Sequence, residues 1–234
     1  MITFALVFTE LLVLFFLSKH LQKVLYTFLY ILTHSKTVSI GLITFLYLPG
    51  TVIHEFAHLV TAEVLRVGTH GISFIPEITE NKNGTTEVKL AHVQVSQSDP
   101  IRRYLIGFAP VFWGMFFLML IIWLFQSYWP EFLDWKWQIG FIFLMGYLLF
   151  TVSNNMFSSK KDLEGFIFFL PLLIIIFASA YLAGLRINLT GKMLELTIRI
   201  LTGLEKGLGV VILINVLILL INGIFLRGLL KIKR

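Results

Sequence analysis

The chain has 234 residues, of which 57% are hydrophobic and only 14% charged. A soluble domain carries about 25% charged residues, so the composition excludes an ordinary water-soluble fold and points to a polytopic membrane protein. The net charge of +6 is not a nucleic-acid signal, because Lys and Arg sit at the ends of apolar runs, as membrane anchoring requires.

Apolar segments fall at about 2–18, 24–34, 38–66, 104–126, 138–158, 163–184 and 208–227. A spanning helix needs about 20 apolar residues. Segment 2–18 is slightly short, and 24–34 is either a short span or one leg of a re-entrant hairpin. The first run, Ile2 to Leu17, lacks a basic start and a small-residue cleavage site, so it reads as a retained span. The expected fold is an all-α polytopic membrane protein with about six to seven transmembrane helices. It forms a single integral membrane domain over 1–234.

Within 38–66 lies His54-Glu55-Phe56-Ala57-His58, an HExxH pattern. The i, i+4 step places both imidazoles on one helix face, where they can hold one zinc ion. Glu55 is placed to act on a zinc-bound water. Ionisable residues at membrane depth are costly, so three together argue for function. Pro49-Gly50, one turn earlier, either bends or locally opens this helix or makes a simple packing kink.

The stretch from about 68 to 103 is the long polar interval. Gly71 to Ile75 and Val88 to Val95 read as strands, with Asn83-Gly84 as the turn signal. Apolar and polar residues alternate through Ala91-His92-Val93-Gln94-Val95, so one face can dip into the membrane. A small membrane-associated β-hairpin is therefore expected between the HExxH span and the next, serving either as a surface hairpin or as an edge beside the metal helix. Residues 190–206 mix Leu, Ile and Met with Lys192, Glu195, Arg199 and Lys206 and suit an interfacial amphipathic helix.

If the spans alternate, Arg66, Lys82, Lys89, Arg102, Arg103, the Lys160-Lys161 pair and the tail from Arg227 to Arg234 share one side. Glu131 and Asp134 fall on the other. The positive-inside rule then puts the C-terminus in the cytoplasm, although Arg186, Lys192, Arg199 and Lys206 run against it.

A catalytic zinc normally has three protein ligands and one open position. The chain has no cysteine, so the third ligand must be His, Asp or Glu. Asp134 is expected on the wrong side, and Asp99, just before Pro100, reads as a helix cap. Asp162 follows the polar run Ser153-Asn154-Asn155 and Ser158-Ser159, which at that depth must line a cavity or be buried in protein. Asp162 is the expected third ligand of a single Zn2+. A surface partner for Lys160 or Lys161 is its other reading, and Glu164 is the fallback ligand.

With these residues in place, the chain resembles the site-2 protease family of intramembrane zinc metalloproteases. That family carries HExxH on one span and, two spans later, an N-x-x-P-x-x-x-L-D-G motif that supplies an aspartate ligand. Asn154 stands at the family's spacing from Asp162, and Gly107-Phe108-Ala109-Pro110 is similar to its small-residue segment on the span after HExxH. Phe157, Lys161 and Leu163 replace the family's proline, leucine and glycine, which marks a divergent branch. The resemblance covers a catalytic core of about 38–165, with accessory helices at 1–37 and 166–234.

The resemblance implies a zinc-dependent intramembrane endopeptidase in which Glu55 activates the water. It also implies that Asn154 helps to orient substrate or ligand, and that a strand carrying His92 captures an unwound transmembrane protein or peptide. The expected location is a prokaryotic cytoplasmic membrane, with the bilayer and a membrane-embedded substrate as partners and no nucleic acid. Two other readings compete: a zinc hydrolase of lipid-linked or amide substrates, and a non-catalytic membrane metal-binding or transport protein, for which Glu10 and Glu63 are the extra carboxylates.

Overall fold

Buried side chains spaced four and three residues apart account for the longest elements. The computed structural model describes residues 2–73, 77–80, 86–89, 92–96, 98–127, 129, 134–157, 160–184 and 190–232. Among these residues the helices are α1 (Ile2–Thr33), α2 (Lys36–Val64), α3 (Pro100–Ser127), α4 (Trp135–Asn155), α5 (Lys160–Leu182) and α6 (Gly191–Ile232).

α1 joins two segments, 2–18 and 24–34, that hydropathy separates. Its buried stripe of Val7, Leu11, Leu14, Ser18, Leu21 and Leu25 runs straight through the polar interval Ser18–Lys23. That interval has neither Gly nor Pro to break the helix, and the Ser18 hydroxyl bonds back to the Phe15 carbonyl at 3.1 Å. The short 24–34 segment is therefore the end of a long helix and not a separate hairpin leg. α6 likewise merges the expected interfacial helix 190–206 with the span 208–227. Leu204, Leu208, Val211, Asn215 and Asn222 form one continuous buried line. α1 and α6 pack together along these stripes, with the spacing of a left-handed coiled-coil seam.

At 42 residues, α6 is about 63 Å long, roughly twice the 30 Å hydrocarbon core. Its first turns, with Lys192 and the exposed Glu195–Arg199 pair at 3.6 Å, suit the region outside that core.

Among the described residues, five helical stretches are long and apolar enough to cross a membrane: Leu6–Thr33, Lys36–Val64, Pro100–Ser127, Trp135–Asn155 and Gly191–Phe225. Phe45 and Phe143 are about three-quarters exposed, at 75% and 74%. Rings bared to that degree fit hydrocarbon surroundings better than water.

α4 occupies the middle, touching α1, α2, α3 and α6. α5 packs on α3, where Tyr104 and Phe168 stack at 4.3 Å and Arg103 pairs with Glu164 at 3.1 Å. The main core joins Leu14, Val111, Leu118, Val152, Met156 and Leu208 from α1, α3, the end of α4 and α6.

Between α2 and α3, the backbone of β1 (Thr69–Ser73) pairs antiparallel with β4 (His92–Val95), and β2 (Glu77–Glu80) with β3 (Thr86–Lys89). The Asn83-Gly84 turn of the expected hairpin lies outside the described residues. β1 and β4 both lie against α2. The Thr69 hydroxyl donates to Glu63 Oε1 at 3.1 Å, which ties β1 to the last turn of α2.

Candidate metal centre

The i, i+4 step of the HExxH pattern brings its two imidazoles edge to face. The His54 and His58 ring centroids are 4.8 Å apart at 86°, and their Nε2 atoms approach to 3.2 Å. Two imidazole nitrogens bound at about 2.0–2.1 Å with a tetrahedral angle between them lie about 3.3 Å apart. The observed separation therefore fits a shared zinc ion with little adjustment.

Tautomer is set on the other side of the His58 ring. Its Nδ1 lies 2.9 Å from the Ile106 carbonyl oxygen. A carbonyl only accepts, so Nδ1 carries the proton and Nε2 of neutral His58 keeps its lone pair for a metal. Support of this kind from behind the ligand is what metal-bound histidines ordinarily receive. His54 and Glu55 are both buried, and no hydrogen bond or ion pair engages the Glu55 carboxylate among the described residues.

Gly50 and Thr51 seat α2 on α4 one turn before the motif. A Cβ on Gly50 would fall 2.0 Å from the Thr151 carbonyl oxygen and 2.6 Å from Asn155 Nδ2. Only a glycine lets the two backbones come this close. Thr51 Oγ1 donates to the Tyr47 carbonyl at 3.1 Å and toward Asn155 Oδ1 at 3.4 Å. Pro49 lies inside α2 without ending it, so Pro49-Gly50 marks a helix contact.

Ser153, Asn154 and Asn155 at the end of α4 are buried, with the Asn154 and Asn155 amides engaged by neighbouring helices, while Ser158-Ser159 lie outside the described residues. Asn154 Nδ2 donates to Asn215 Oδ1, and Asn215 Nδ2 donates to Asn154 Oδ1, both at 2.9 Å. Gln22 Nε2 of α1 reaches the Asn154 carbonyl at 3.2 Å. The Asn154 side chain, expected to orient substrate or ligand, is thus engaged between α4 and α6. Removing one member of such a pair strands a buried amide at a cost of about 1–3 kcal/mol. Sequence reading missed Asn215, although an Asn inside the run Val210–Leu220 is a signal of its own.

The other carboxylates sort clearly. Asp99 caps α3: its Oδ2 accepts from the Arg102 backbone N–H at 3.2 Å and its Oδ1 pairs with Arg102 Nε at 3.2 Å. Asp134 starts α4 at the opposite end from Asn155, about 30 Å away along the axis. Glu164 is about half exposed and pairs with Arg103. The Asp162 and His92 side chains lie outside the described residues. The backbone puts Asp162 in the first turn of α5. The Arg103–Glu164 contact shows that this turn lies beside the start of α3, and Ile106, which supports His58, is one turn further along α3. Among the described residues no group of three His, Asp or Glu side chains is gathered for a metal.

The chain matches no protein-family model, no curated protein and no solved structure.

Proposed function

We propose that this protein is a multi-pass zinc endopeptidase that cuts membrane-embedded substrates. One observation carries the reading: two histidine Nε2 atoms 3.2 Å apart in an apolar helix, with His58 oriented from behind by a main-chain carbonyl. Asp162, in the first turn of α5 at the same end of the helix bundle as Ile106, is the third ligand in this proposal.

Zinc held by His54, His58 and Asp162 would supply a Lewis acid for the scissile carbonyl and would make a water at the site more acidic. Glu55 takes the proton of the attacking water and later delivers it to the leaving nitrogen. Glu55 is buried, which limits the access of competing water to the reacting carbonyl. Among the described residues β4 pairs with β1 alone, and in this proposal its other edge takes an unwound substrate strand by main-chain pairing. In this proposal the end of the molecule that carries Arg66, Arg102, Arg103, Lys160 and Lys161 faces the cytoplasm, as does the C-terminus.

The test is cleavage of a single-span reporter co-reconstituted with the protein in liposomes. Wild type cuts within or at the edge of the span, and Glu55→Gln does not. Equal cleavage by the two would refute the assignment of Glu55. A wild type that spares every membrane-embedded peptide but hydrolyses lipid-linked amides would place the same centre in a different hydrolase class.

A further inference from the structure

Asn215 sits on α6, remote in sequence from the HExxH motif, and is fully buried. Its reciprocal bonds with Asn154 require α4 and α6 to hold one rotation and one relative height, because both amides must meet at once. Asn154 and Asn155 are successive residues, about 100° apart around the α4 axis. Asn154 therefore addresses α6 while Asn155 addresses α2, where it meets Thr51. The α4 backbone at Thr151 occupies the space that a Gly50 Cβ would need. Gly50 and Thr51 lie one turn before His54 and Glu55.

We infer that Asn215 is a positioning residue for the His54–His58 centre. Its amide pair fixes the rotation of α4, and α4 fixes the height and rotation of α2 one turn from the ligands. Gln22 holds the same turn of α4 from a third side through the Asn154 carbonyl. Plain apolar packing would join α4 to α6 without specifying either coordinate, since leucines tolerate small rotations that two reciprocal hydrogen bonds do not. The inference rests on the proposed metal centre.

The test compares zinc affinity and thermal stability of the full chain in detergent, using zinc alone with a competing chromogenic chelator. Asn154→Leu and Asn215→Leu should each lower both quantities by stranding the partner amide. The double leucine variant removes both amides and should regain a Tm within a few degrees of wild type, while its zinc Kd stays about ten-fold weaker, the scale of lost support behind a metal ligand. A double variant that binds zinc like wild type reduces the pair to packing and overturns the inference. Should the double variant not fold, Asn215→Gln keeps the amide but moves it by one methylene. A ten-fold loss of zinc affinity in that variant at wild-type helicity supports the role, and an unchanged Kd overturns it. A wild type that binds no zinc, or a His58→Ala variant that binds it as tightly as wild type, removes the centre itself and this inference with it.

Discussion

His58 Nδ1 lies 2.9 Å from the backbone carbonyl oxygen of Ile106, so one imidazole joins α2 to α3 with one nitrogen and keeps the other for a metal. The two roles separate by substitution. His58→Asn places an amide nitrogen near the Nδ1 position and removes Nε2. This variant should keep thermal stability close to wild type and lose zinc. His58→Ala should lose zinc and also about 1 kcal/mol of stability, the net worth of a typical internal hydrogen bond. Equal stability losses in the two variants, measured by thermal unfolding, would show that the Ile106 contact carries no weight.

Gly50 is the close-approach point between α2 and α4. Gly50→Ala puts a methyl group against the Thr151 carbonyl, which is main chain and has little freedom to move. Overpacking of this kind costs about 1–3 kcal/mol. The same substitution at Gly41, where an added Cβ meets nothing within 4 Å, should be tolerated. Unfolding midpoints of the two variants check the contrast.

How much of this was legible in the sequence depends on whether side-chain type or main-chain placement decides the feature. The shared face of His54 and His58 follows from a four-residue step, and the Asp99 cap from an Asp before Pro100. The continuity of α1 and α6 was hidden because hydropathy averages over all faces, whereas the buried stripes through Ser18 and Leu204 use only one. Ile106 could not be found from the sequence at all, since every residue supplies a carbonyl and only the fold decides which one meets His58. Asn154 was visible as a buried polar residue, but its partner stands 61 positions away in α6.

The carboxylates divide into a proposed ligand and a surface pair. Asp162→Ala should abolish tight zinc binding. Glu164→Ala should leave it unchanged, because Glu164 is half exposed and pairs with Arg103, and exposed pairs are worth about 0–1 kcal/mol. Zinc titrations of the two variants check this. The reverse pattern would move the third ligand from Asp162 to Glu164.

Capture of substrate by β4 depends on main-chain groups. Proline at Val93 or Val95 removes a backbone N–H and should slow cleavage of a helical reporter by about ten-fold or more while zinc content stays at the wild-type level. Alanine at the same positions keeps the N–H and should have a much smaller effect. Unchanged cleavage in the proline variants would separate β4 from substrate binding.

Zinc K-edge absorption on the purified wild-type chain reads the His54–His58 centre itself. One zinc per chain is expected, with two imidazole nitrogens at about 2.0–2.1 Å and oxygen completing the shell, and with loss of the imidazole signal in a His54→Ala/His58→Ala variant. A chain that holds no stoichiometric zinc after metal reconstitution, or holds it with the same spectrum when both histidines are gone, would contradict that expectation.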